Sequence, residues 1–150
     1  MKRAIAAGAL YFLLIFLLGM ALGTVRVLLI EPRLGAVASV LVELPFMLAA
    51  SWFVCGWLIR YLSVPAAVSS RAAMGGLAFL LLMGAELGLS LFAVGGTVRE
   101  HFANYGQTAP LIGLLGQLAF AAFPLFRYRR RPEQVEVEVE VLTALQLREG

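Results

Sequence analysis

The sequence predicts an all-α, polytopic membrane protein with four transmembrane helices and a short extended or disordered acidic tail. Three observations carry that prediction. Four apolar runs approach or exceed the length of about 20 residues that a bilayer crossing needs. Of the 150 residues, 61% are hydrophobic and 14% charged, a composition that a water-soluble domain of this size cannot cover with polar surface. The basic residues, Arg26 excepted, stand at the edges of the runs rather than inside them.

The first run extends from Ala4 to Ile30 with one interruption at Arg26. It exceeds the roughly 7 to 15 residues of a signal-peptide core, so it reads as an uncleaved span whose start is held by Lys2 and Arg3. The second covers residues 34–59, carries Glu43 and Pro45, and ends among Trp52, Trp57, Arg60 and Tyr61, whose rings suit a membrane interface. Ser63 to Arg71, with Pro65 and its serines, reads as a loop. The third run covers residues 72–95, contains Glu86, and is punctuated by Gly95 and Gly96. Thr97 to Thr108 reads as a polar loop. The last and shortest run, residues 109–126, begins with Pro110 in its first turn, where a missing N–H costs nothing. Together these form one domain over residues 1–131, with spans at about 4–30, 34–59, 72–95 and 109–126. A cytoplasmic tail follows over residues 132–150.

Basic residues set the orientation. Lys2, Arg3, Arg60, Arg71, Arg127, Arg129, Arg130 and Arg131 fall on one side, against Arg26, Arg33 and Arg99 on the other. That bias places both termini in the cytoplasm. The net charge of +3 does not point to nucleic acid, because no basic patch is interleaved with aromatic residues. After Pro132 the chain alternates acid and valine from Glu133 to Val141, a strand-like period. A lone strand without a partner is unstable and its charges oppose self-association, so the tail reads as extended and mobile.

Polar groups retained inside apolar runs are the candidates for function. An ionised side chain at a helix centre costs about 2.5 to 3.5 kcal/mol on the insertion scale. Glu43 lies about 12 Å below Gly35, Glu86 about 14 Å below Gly95, and Gln117 about 12 Å past Ala109, from a rise of 1.5 Å per residue. These three side chains therefore share a layer. Arg26 has two directions open, outward to water or inward to the carboxylates. Pointing inward, it neutralises one glutamate and leaves the other protonated or available to a cation. Two readings of the set follow: interhelical hydrogen bonding alone, or a proton or cation site. Pro45 frees the carbonyl of Leu41 beside this layer. Gly19 with Gly23, and Gly84 with Gly88, have the small-xxx-small spacing that predicts close helix contact.

Cys55 is the sole cysteine, which excludes an internal disulfide and a multi-cysteine metal site; in its apolar run it reads as a small buried hydrophobe. His101, between Glu100 and Phe102, reads as a solvated loop residue. No cofactor or metal is implied: the phosphate-binding glycine loop, the paired-histidine zinc motif and the serine nucleophile elbow are all absent. Together with short loops, this points away from an enzyme.

The stretch Arg26 to Trp52, RVLLIEPRLGAVASVLVELPFMLAASW, resembles small four-span bacterial inner-membrane proteins of uncharacterised function. That resemblance implies a fold and a bacterial inner-membrane location and no activity. The VELPF segment is faintly similar to the second helix of the membrane-bound eicosanoid and glutathione enzymes. Val40 and Ser39 stand where those enzymes place arginine and asparagine, which disfavours glutathione chemistry. Small multidrug exporters have a similar size but carry their acid in the first helix, which here has none. The expected function is proton- or cation-linked transport or conduction through Glu43 and Glu86, with Arg26 setting their charge and Gln117 completing the layer. Because four helices enclose little volume, a homo-oligomer or a larger membrane-protein partner is expected to complete the path. The alternative is a non-catalytic scaffold or assembly factor that binds another membrane protein.

Overall fold

The computed structural model describes residues 1–92 and 95–127. Helix α1 runs from Lys2 to Val25, a five-residue π-helical segment spans Arg26–Ile30, and α2 covers Glu31–Tyr61. Helices α3 (Val68–Phe92), α4 (Val98–Asn104) and α5 (Thr108–Phe126) follow. Among the described residues there is no strand. The alternating acidic tail falls outside them.

Three helical stretches are long and apolar enough to cross a membrane: Lys2–Tyr61, Val68–Phe92 and Thr108–Phe126. The first is not a straight rod. Gly35 has φ +79° and ψ 167°, a conformation closed to other residues, and there the chain folds back so that α1 packs along α2. Contacts then run α1 to α3, α3 to α5, α5 to α2 and α2 to α1, a closed ring. Large apolar side chains cover its outside; Phe53 is 72% exposed and Phe92 91%. A surface of this kind suits lipid rather than water.

The π-helical segment has a local cause. Pro32 has no N–H, and its ring collides with the carbonyl four residues back, at Leu28, so the turn before it widens. Glu31 N–H reaches the Arg26 carbonyl, the five-residue step of a π turn.

The tightest packing lies at the end of the bundle where α1 begins. Ala4, Ala7, Tyr11 and Ile15 recur at three- and four-residue spacing and are buried with Met74, Ala78 and Leu82 of α3. Close contact there depends on glycines other than those the spacing motifs single out. A Cβ on Gly8 would lie 2.7 Å from the Met74 carbonyl oxygen, and one on Gly75 would collide with the Ala121 carbonyl. By contrast, Gly23, Gly84 and Gly88 have nothing within 4 Å, so the small-xxx-small pairs do not mark helix contacts. Pro124 leaves the Phe120 carbonyl of α5 without its helical donor. The Tyr11 hydroxyl donates to that oxygen at 3.2 Å, and the Tyr11 and Phe120 rings stack 4.2 Å apart.

Two expected loops are partly helical. Helix α3 starts at Val68, within the segment read as loop, and Arg71 is only 4% exposed. Arg71 therefore turns between helices instead of standing in solvent as a topology charge. Its Nη2 donates to the Val64 carbonyl at 3.2 Å, while Nε and Nη1 have no partner among the described residues. The polar segment after Gly96 contains α4, which begins with a reciprocal capping box: Glu100 N–H donates to Thr97 Oγ1, and Thr97 N–H to the Glu100 carboxylate.

Candidate functional site

All four residues singled out from the apolar runs, Arg26, Glu43, Glu86 and Gln117, line one cavity of about 590 Å³ inside the ring of helices. Its walls come from α1, the π-helical segment, α2, α3 and α5. Gly19, Gly23 and Gly113 contribute to the wall, and their missing side chains widen the space. A single bundle thus encloses a substantial volume, contrary to the expectation drawn from helix number.

The fold-back at Gly35 determines which charges meet. Arg26 lies nine residues before it and Glu43 eight after it, so an antiparallel pair of helices brings them level. Arg26 points inward, with Nε 2.7 Å from Glu43 Oε2. The Nε hydrogen has no aligned acceptor, so charge rather than hydrogen-bond geometry holds that contact. Arg26 Nη1 also donates to Glu31 Oε2 at 3.0 Å. The wide turn stacks residues five apart, which aligns these two side chains. Glu31 was not singled out from sequence, although Pro32 beside it was a readable sign of an altered turn.

Glu86 is placed differently. It accepts a hydrogen bond from Gln117 Nε2, and no arginine or lysine among the described residues forms an ion pair with it. Gln117 Oε1 is buried without a donor. The four residues therefore form two pairs: Arg26 with Glu43, and Glu86 with Gln117.

Tyr105 and His101 close the site at the α4 end, a feature the sequence reading missed by treating His101 as solvated. The Tyr105 hydroxyl lies 3.5 Å from His101 Nε2 and touches Met83 Sδ of α3. Burial first, and the Glu86 carboxylate second, push the Tyr105 phenol above its usual value. The rings of His101, Phe102 and Tyr105 pack edge-on or tilted over this end.

No family model, curated protein or solved structure matches the chain. Functional argument therefore rests on the site itself.

A second polar cluster stands at the opposite end. Arg127 lies over the Trp52 ring, 4.1 Å from its centroid, and fills the space left by Gly56. Cys55 is buried next to Gly56, as its apolar run implied. No group of three or more His, Cys, Asp or Glu side chains among the described residues is arranged to hold a metal ion.

Proposed function

We propose that the chain crosses a bacterial inner membrane four times, with both termini cytoplasmic, and links proton or cation movement to Glu86. The single observation behind this is the asymmetry of the two carboxylates. Arg26 neutralises Glu43, whereas Glu86 faces the same cavity with only an amide as its close partner. An acid without a cation in an apolar wall favours its neutral form, and it ionises when a proton leaves or a cation arrives. Glu86 is thus the exchanging group and Glu43 the fixed half of an ion pair. Tyr105 and His101 give Glu86 a polar route toward the aqueous phase beyond α4.

The four-span reading is supported by Gly35. Residues 2–34 extend about 50 Å and residues 36–61 about 39 Å at 1.5 Å per residue. Each is long enough to cross a hydrocarbon core of about 30 Å. Arg26 then sits about 36 Å from Lys2, near the far interface, where a charge is easier to keep. The volume enclosed by one chain makes an oligomer unnecessary for the path, although a homo-oligomer or a larger partner remains compatible with the apolar exterior.

Proton and monovalent-cation flux into liposomes containing the purified protein tests the proposal across a pH series. Glu86→Gln is expected to abolish flux while the protein stays folded, and deletion of residues 133–150 to leave it largely intact. Absence of flux in the parent, or undiminished flux in Glu86→Gln, would overturn the reading and favour a scaffold or assembly factor.

A further inference from the structure

We propose that the cavity is a binding site for a lipophilic organic cation, such as an amphiphilic ammonium or phosphonium, whose charge rests against Glu86. The inference rests on the reading of Glu86 as the uncompensated acid and adds the class of molecule that it receives.

Size and lining come first. About 590 Å³ lies within the range of sites for drug-sized molecules, roughly 300 to 1,000 Å³. Phe16, Leu44, Leu48, Leu82 and Phe120 supply apolar surface, and the two rings can also attract a cation to their faces. The remaining polar groups are largely occupied. Thr24 donates to the Met20 carbonyl within its own helix, and Arg26 is shared between Glu31 and Glu43. Of the charges in the wall, Arg26 opposes Glu43 and Glu86, so one negative charge is in excess; Glu31, reaching Arg26 from outside the wall, adds another. The sign of the occupant is therefore positive.

Chemistry narrows it further. A small hydrated metal ion must exchange its water shell for several oxygen ligands, as calcium does with six to eight, and the wall does not converge such a set. An organic cation with a diffuse or shielded charge loses less on leaving water, and its apolar body gains from contact with the wall. Gly23 and Gly113 keep the space open: a Cβ at either would meet nothing within 4 Å.

The test uses two probes of matched shape and opposite charge, tetraphenylphosphonium and tetraphenylborate, titrated calorimetrically into the full chain in nanodiscs. The phosphonium is expected to bind saturably at one per chain, and the borate only as it does to empty nanodiscs. Glu86→Gln should weaken phosphonium binding about tenfold or more, the loss of one charge contact. Gly113→Leu, which fills the cavity without touching the acid, should weaken it comparably while thermal stability holds. Equal binding of the two probes, or unaltered phosphonium affinity in Glu86→Gln, would overturn the inference. Saturable phosphonium binding without proton flux in liposomes would leave this site standing and sink the transport reading. Proton flux without phosphonium binding would do the reverse.

Discussion

Replacing Tyr11 by Phe removes a single oxygen, and its cost should depend on a proline on another helix. Pro124 cannot donate to the Phe120 carbonyl, and Tyr11 supplies the missing donor at 3.2 Å from a fully buried side chain. Without the hydroxyl that carbonyl is left buried and unpaired, a loss of about 1 to 3 kcal/mol in protein interiors. Interhelical hydrogen bonds in membrane bundles measure lower, averaging about 0.6 and reaching about 1.7 kcal/mol. A value of about 1 kcal/mol is therefore expected. In a Pro124→Ala background, the backbone N–H that the substitution restores can reach the same carbonyl, so Tyr11→Phe should then cost only a few tenths of a kcal/mol. The hole left by the proline ring is common to both arms and cancels in the double-mutant cycle. Unfolding the parent, both single variants and the double variant in mixed SDS micelles, followed by circular dichroism, gives the coupling energy. An equal cost of Tyr11→Phe in the two backgrounds would refute the proposed division of labour between hydroxyl and proline.

Two further outcomes follow from local geometry. Gly75→Ala should destabilise by about 1 to 3 kcal/mol because its methyl meets the Ala121 backbone, which cannot swing aside. Gly84→Ala meets nothing within 4 Å and should stabilise by up to about 1 kcal/mol through helix propensity; reversal of that order in the same unfolding assay would contradict the packing described. The third concerns Glu100, whose carboxyl is held below its ordinary value first by the Thr97 backbone N–H and then by the Thr97 hydroxyl. Because its folded value is depressed, its support of α4 is complete above the unfolded-chain value of about 4.3 and is lost as pH falls through the lower folded value. Amide-exchange protection of Val98–Asn104, corrected for intrinsic rates, should follow that course, and Thr97→Ala should remove the pH dependence. Protection that stayed flat to strongly acidic pH would exclude the effect.

The sequence carried much of the architecture. Apolar run length located the long helices within a few residues, because a stretch without polar groups has few ways to satisfy its backbone except as helix. The meeting of Arg26 with Glu43 was legible in principle, since both stand at nearly equal distances from Gly35. Gln117 and Glu86 were placed in one layer by counting residues, and they are hydrogen-bonded. Other features depend on information that a linear pattern lacks. Arg71 has the same sequence neighbours whether its side chain reaches water or turns between helices, and only packing decides. Gly8 and Gly75 touch neighbouring backbones while Gly84 and Gly88 touch nothing, yet spacing favours the second pair. The pairing of Tyr105 with His101 needed α4, whose Thr97–Glu100 capping signature was present but lay in a segment read as loop. The cavity has no one-dimensional signature, because five elements build its walls.

The π-helical turn before Pro32 also has a consequence for register. One turn of wider pitch acts as an inserted residue, and a residue in an α-helix corresponds to about 100° of rotation. The half of the first helix that packs on α3 through Ala4, Ala7 and Tyr11 is thereby phased independently of the half that carries Arg26. Apolar contacts set the angle of the lower half, and the bulge resets it above, so the arginine meets Glu43 without any compromise in the interlocking of the lower helix. The chain can thus vary its packing face and its charged face separately, with five residues acting as the coupling between them.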